Sequence, residues 1–363
     1  MGKSFPAVFI SAALVFVTAS CSGDRAISRD RIPRPLAGEQ LLAFDFADSR
    51  YSELGIRRIT EFDVDSNGNI FLADGKHVFK FDDKGLFVTF LGRVGQGPGE
   101  YGFVEGLRLT EYDQVSFFDP QSQKFLLFSN TGTFVREEKL TGIYTVKGIF
   151  IESGLYLILQ RKERPREGKR EFFYCLVDNN GRILREFSPR YFIDMIGQSL
   201  KINLMEYGIF IQIIGREIFV ADNMSDRIQI EVYDLLGNPK RRLLRKTPPV
   251  RITEEDQYEM LGRWEKTPVW EQVKFKHYFP RFYPPFKTFI ADKDFGLIVE
   301  LYDRPKNPDE NRAVWFRLDG AYAGEVVLAR SRLRVMKNGI LYGIREDENG
   351  NSRMEVNRLA ARK

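Results

Sequence analysis

Cysteine and histidine are scarce in this 363-residue chain: Cys21 and Cys175, His77 and His277 are all it has. Two cysteines cannot build a disulfide scaffold. Two histidines do not make a multi-histidine metal site. Neither sign of charge dominates, with 55 Lys and Arg against 50 Asp and Glu, a net +5 and a pI near 9.0. The composition, 43% hydrophobic and 29% charged, excludes a disordered chain and a low-complexity fibre. The N-terminal apolar run, residues 5–17 (FPAVFISAALVFV), falls short of the ~20 residues of a membrane-spanning helix. Length alone suggests about two domains. The repetition described below argues for one.

The N-terminus reads as an address. Lys3 precedes the apolar run, and Thr18-Ala19-Ser20 follow it, which is the order of an export signal. Cys21 comes directly after these small residues. That placement resembles the lipobox of bacterial lipoproteins, with Thr18 where that family has Leu, Val or Ile. The resemblance implies a lipoprotein-type signal peptide over 1–20, cut to leave a lipidated Cys21. Residues 21–38 are polar and proline-bearing, which suits a flexible tether. Ser22, rather than Asp, after the cysteine implies the outer membrane by the same resemblance, with the domain in the periplasm or at the cell surface. Nucleic acid is a poor partner for an exported protein. Cys175, within EFFYCLVD, is expected to be a small buried hydrophobe.

From residue 39 onward the chain reads as short strands and tight turns. Residues 59–91 hold ITEFDV, a DSNGN turn, IFLAD, HVFKFD, a DKG turn and LFVTFL. That is a four-stranded meander the size of a propeller blade. Its first turn returns near Asp113, Gly154, Gly215, Gly296 and Gly339. Its last turn returns near Gly132, Gly181, Gly237 and Gly320. Asn and Gly serve there because tight hairpins demand positive φ. Six first turns face five last turns. After residue 330 only RLRVMK, ILYGIRE and SRMEVNRL remain, so QLLAFDF (40–46) is expected to supply the missing strand. The expectation is an all-β, six-bladed β-propeller over 39–363, closed by its N-terminal strand, with one helix-containing insertion, 246–284, between blades 4 and 5.

Residues 60–74 (TEFDVDSNGNIFLAD), 77–85, 90–101 and 217–237 resemble an NHL-type repeat. Residues 339–359 resemble the last blade of bacterial six-bladed β-propeller lipoproteins. This resemblance implies a scaffold rather than a use, since NHL-type propellers include binding modules, sensors and a few lyases or hydrolases.

In an antiparallel blade, second-to-third turns and the links between blades lie on one face of the disc. The long connections 92–103, 161–170, 188–204, 246–284 and 303–312 are all of this kind, so binding is expected on that face. In 246–284, Thr253 is the expected N-cap of a helix running to about Trp264. Trp264, Trp270, His277, Tyr278 and Tyr283 are its candidate partner-binding residues, as rings beside basic groups suit protein or sugar recognition. Such rings also serve as an insertion's own small core. Arg164 and Arg166, in the basic stretch RKERPREGKR, are candidates for an acidic partner. Gly92–Tyr101 lacks the GK[ST] ending of a phosphate loop and is read as a link between blades. Asp74, Asp119 and Asp222 end second strands; they are weak candidates for a cation at the channel mouth, or acceptors within their own turns.

The functional expectation is therefore a membrane-tethered, monomeric binding or scaffold module for an envelope protein or glycan. No cofactor is required, although a channel-bound divalent cation is compatible with the three aspartates. The alternative is an NHL-like lyase or hydrolase with a metal at the central channel. No catalytic residue is assigned.

Overall fold

The computed structural model describes residues 36–56, 58–164, 169–188, 191–194, 202–203, 205, 208–265, 270–274, 277–302, 310–331, 333–347 and 351–361. Cys21, residues 1–20, expected to be a signal peptide, and Arg166 lie outside these residues, as do parts of the expected connections 161–170, 188–204, 246–284 and 303–312.

Six antiparallel blades follow one another along the chain. Blade 1 runs Glu61–Val64, Ile70–Ala73, Val78–Phe81 and Phe87–Phe90; blade 2 runs Glu105–Leu109, Val115–Asp119, Lys124–Phe128 and Phe134–Lys139. Blade 3 is Gly148–Glu152, Leu155–Arg164, Lys169–Asp178 and Ile183–Glu186; blade 4 is Ile209–Ile214, Glu217–Asp222, Ile228–Asp234 and Pro239–Arg245. Blade 5 is Thr288–Asp292, Gly296–Glu300, Glu310–Phe316 and Tyr322–Ala329. Blade 6 takes Leu333–Lys337, Ile340–Glu346 and Ser352–Ala361 from the C-terminus, and its outermost strand is the N-terminal Leu36–Asp45. The fold is thus the expected six-bladed propeller closed by the N-terminal strand. The closing strand is longer than 40–46: its ladder begins at Leu36↔Ala361, inside the segment read as tether.

Burial explains the sequence pattern. The two middle strands of a blade are covered on both faces, so IFLA and VFKF in blade 1 are buried throughout and show no alternation. The outermost strand covers one face only, and Phe134–Lys139 alternates half-buried and exposed residues. The buried side chains form six clusters, each sandwiched between neighbouring blades. The cluster between blades 6 and 1 joins Phe44 and Phe46 of the N-terminal segment to Phe81, Ile344 and Met354. Closure therefore completes a core as well as a sheet edge.

The turns use the expected chemistry. Asp65 Oδ1 accepts from the N–H groups of Asn67 and Asn69, each at 2.9 Å, and Asp234 Oδ1 does the same from Leu236 and Asn238 at 2.9 and 2.8 Å. Gly92–Tyr101 forms a compact link. Its Glu100 carboxylate folds back to accept from Gly97 N at 2.8 Å and pairs with Arg93 at 2.5 Å, while Tyr101 is buried.

One connection differs from the expectation. The basic stretch 161–170 is the end of a long hairpin, with strands ten residues long that pair as far as Arg164↔Lys169. Tyr191–Asp194 adds alongside it, pairing with residues 169–172. The end of this ladder is a run of charges, Arg161–Arg164 facing Lys169–Phe172, so backbone pairing continues past the apolar middle of both strands. Among the described residues no helix is long and apolar enough to cross a membrane.

Candidate functional site

Two regions bring chemistry together: the insertion on the long-loop face and the central channel.

The insertion begins with the expected helix, Glu254–Trp264. Thr253 is its N-cap within a capping box: its hydroxyl accepts from Asp256 N, and the Asp256 carboxylate accepts from Thr253 N at 2.7 Å. A second, four-residue helix, Trp270–Val273, follows; nothing in the local pattern announced it. The two ends of the insertion meet, with Ile252 N donating to Arg281 O at 3.1 Å and Tyr283 N to Val250 O at 2.9 Å. His277–Tyr278 pairs in parallel with Ile202–Asn203, which ties this insertion to the link between blades 3 and 4.

Its aromatic residues divide in two. Trp270 and His277 lie with ring centres 5.8 Å apart, His277 meets Phe279 at 5.8 Å, and Tyr283 stacks on Tyr302 at 4.8 Å. These rings pack on one another. Tyr278 is 43% exposed, and Tyr258, which the sequence reading had not singled out, is 75% exposed on the helix. Trp264 is half-buried at the helix end. Arg164 sits at the far end of the blade 3 hairpin, away from this group in sequence and sheet.

Asp74, Asp119 and Asp222 do not line the channel cavity. Each sits at the end of a second strand and accepts hydrogen bonds close by. Asp74 takes the N–H groups of Lys76 and His77 at 2.9 and 2.7 Å, with His77 Nδ1 at 3.3 Å. Asp119 takes Gln121 N at 3.0 Å, Ser122 Oγ at 2.6 Å and Gly102 N at 3.1 Å; Asp222 takes Met224 N at 2.8 Å. Among the described residues no three His, Cys, Asp or Glu side chains gather in a way that could hold a metal ion.

The lining of the channel is what the sequence did not reveal. The channel forms an open cavity of about 840 Å³ lined by the innermost strands of the blades. Adjacent innermost strands are joined by side chains. Glu61 and Asp63 of blade 1 accept from Leu107 N and Leu109 N of blade 2, each at 2.6 Å, and Arg108 Nη1 donates to Phe150 O of blade 3 at 3.0 Å. At the tight-turn end, Asp292 accepts from Asn338 N at 3.0 Å, and Ser66 bonds Asp113. Near the other end Lys147 lies 3.6 Å from Glu61 and 4.0 Å from Glu105. Burial, then repulsion from Glu61, pushes the Glu105 carboxyl up. Burial acts to lower Lys147, but Tyr174, Glu61 and Glu105 together hold it above its ordinary value. Burial likewise raises Asp63 and lowers Arg108.

The channel is also uneven. The innermost strand of blade 4, Ile209–Ile214 (IFIQII), is half-buried at every position, and with Ile149 it presents an apolar wall. The one sequence signal was that run itself, which lacks the alternation of EFDV in blade 1.

This arrangement defines a six-bladed β-propeller, and comparison with known proteins agrees. Residues 53–219 match the DUF5128 family, described as a 6-bladed beta-propeller. A DUF4221-family protein from Bacteroides vulgatus is similar in structure, at 12% identity and a TM-score of 0.54, covering 92% of this chain and 100% of its own. A Bacteroides fragilis protein described as exported shares 12% identity (TM-score 0.49, 92% of this chain, 97% of that one). A gluconolactonase from Xanthomonas campestris shares 11% (TM-score 0.40, 90% and 99%). At such identities the likeness concerns the fold alone. No curated protein matches the sequence.

Proposed function

We propose that this chain is an exported, lipid-anchored propeller with NHL-type repeats that binds an envelope protein or glycan through its long-loop face. One observation carries the reading: the extended connections emerge on one face, and two of them are knitted together by the pairing of Ile202–Asn203 with His277–Tyr278. A platform of linked loops over rigid blades is how scaffolds of this kind present recognition residues. Tyr278 and Tyr258, exposed beside the insertion's packed rings, offer area that binds at low entropic cost. Anchoring through Cys21 would hold this platform near a bacterial membrane, with the outer membrane favoured by Ser22.

The test is crosslinking in native membranes. Because Ile252 N bonds Arg281 O, a short Gly/Ser linker can replace residues 254–280 without parting the ends. An envelope component captured by the wild type and lost in this variant supports the reading. Equal capture by both, or none by either with the variant still folded, overturns it. Cys21→Ala is expected to move the protein from the membrane to the soluble fraction, and retention in the membrane refutes the anchor.

A further inference from the structure

The carboxylates and the cations of the channel are matched differently. Asp63 and Asp292 spend their oxygens on backbone N–H groups, those of Leu109 and Val64, and of Asp294, Phe295 and Asn338 respectively, while Glu61 is shared between Leu107 N and Lys147. Two cations on the same wall are left without carboxylate partners. The Lys337 side chain makes no hydrogen bond or ion pair among the described residues, only a longer-range attraction to Asp63. Arg108 gives one N–H to Phe150 O and is attracted to Asp63 and Glu111 at longer range. The two flank Asp63 from blades 2 and 6. Across the cavity from these blades lie Ile209, Ile211 and Ile213 of blade 4, with Ile149 of blade 3, apolar and half-exposed.

We propose that the channel is a second binding site, for a small amphipathic monocarboxylate. Its carboxylate lies between Arg108 and Lys337, and its apolar body lies on the isoleucine wall of blades 3 and 4. A guanidinium with free N–H groups suits a carboxylate. A half-exposed run of isoleucines along the channel gains from any apolar group that displaces water. The volume, about 840 Å³, is within the span of small-molecule sites. A free sugar meets mostly hydrocarbon on this wall, where Gln212 is the one polar side chain among the isoleucines of blade 4. An amine meets two cations. Two carboxylates oppose the anion: Asp63, whose oxygens already accept from Val64 N and Leu109 N, and the exposed Glu111 at the rim.

Calorimetric titration of the full chain with hexanoate, heptanoate and octanoate tests this, with hexylamine and glucuronate as controls. The carboxylates are expected to bind, each added methylene tightening binding about fourfold. Lys337→Gln should weaken octanoate about tenfold or more, the weight of a charge-assisted hydrogen bond. Arg108→Gln should do the same. Should that variant fail to fold, Lys337→Gln carries the test, since its side chain bonds nothing in the described protein. Ile211→Asn should flatten the dependence on chain length. No binding by octanoate, affinity independent of chain length, an unchanged Lys337→Gln, or tighter binding of hexylamine or glucuronate than of hexanoate would each overturn the proposal.

Discussion

Gly85, in the last turn of blade 1, lies directly against Phe44 of the closing strand: a Cβ on it would stand 2.7 Å from the phenylalanine ring. The same contact recurs around the ring. Gly132 of blade 2 abuts Thr89 of blade 1, Gly237 of blade 4 abuts Arg185 of blade 3, and Gly320 of blade 5 abuts Leu243 of blade 4. These four last turns thus tuck against the outermost strand of the preceding blade, while that of blade 3, at Gly181, meets Thr141 and Ile143 just past that strand. Blade 6 has no last turn, because its outermost strand comes from the other end of the chain. There Leu36 and Ala37 pair in parallel with Val326 and Val327 of blade 5, filling the missing turn's place.

Phe44→Ala should therefore weaken the ring at its seam. The side chain is buried among Phe46, Tyr51 and Phe81. The expected loss is about 3–5 kcal/mol, as for other buried phenylalanines. Denaturant unfolding measures it; a loss below about 1 kcal/mol would show that closure depends little on this cluster.

Gly106→Ala should be comparably severe for a different reason. Gly106 sits at φ +65° in the innermost strand of blade 2, and a Cβ would stand 2.0 Å from Gly148 O of blade 3. The added methyl must part the two strands and accept a left-handed backbone. A marked fall in melting temperature is expected, and an unchanged one would contradict the close approach.

Acid should reveal Glu217. Hydrogen bonds from Arg241, at 2.8 and 2.6 Å, and then from Lys240, hold its carboxyl down at about 2. A carboxylate whose folded value is depressed stabilises the protein above its ordinary value of 4.5, and that contribution is lost as pH falls through about 2. Glu217→Gln should melt at a lower temperature than wild type at pH 6, with the two curves converging between pH 4.5 and 2. Parallel curves across that window would remove the pair from the account.

Cys175 should be silent in the native state. It is fully buried between blades 2 and 3, and burial pushes its thiol up to about 12. Labelling by a thiol reagent should follow global unfolding in denaturant. Rapid labelling without denaturant would mean that this blade interface opens locally.

Much of the fold was legible because its signals are local. Asp-x-Asn-Gly and Asp-x-x-Gly turns reappear as Asx turns, with Asp65, Asp82 and Asp234 accepting N–H groups two and four residues on. The unequal tally of first and last turns foretold the closing strand, because a turn cannot join strands from opposite ends of a chain. Thr253 and its acidic first turn announced the helix to within a residue. The channel's lining stayed hidden because its chemistry depends on blades that meet only after closure. Nothing local to Asp63 says that Leu109 will occupy its carboxylate while Lys337 is left alone. The aspartates at the ends of second strands take the second of the two roles the sequence offered them, accepting N–H groups within their own turns.

The seam also orders events in time. Strand Leu36–Asp45 is made early, yet its antiparallel partner, Ser352–Ala361, is among the last segments to leave the ribosome. Until then the strand's phenylalanines have no core and its edge no mate. Pairing of such distant segments is slow, so the ring should lock last, and a nascent chain cut short anywhere before residue 352 is a propeller that cannot shut.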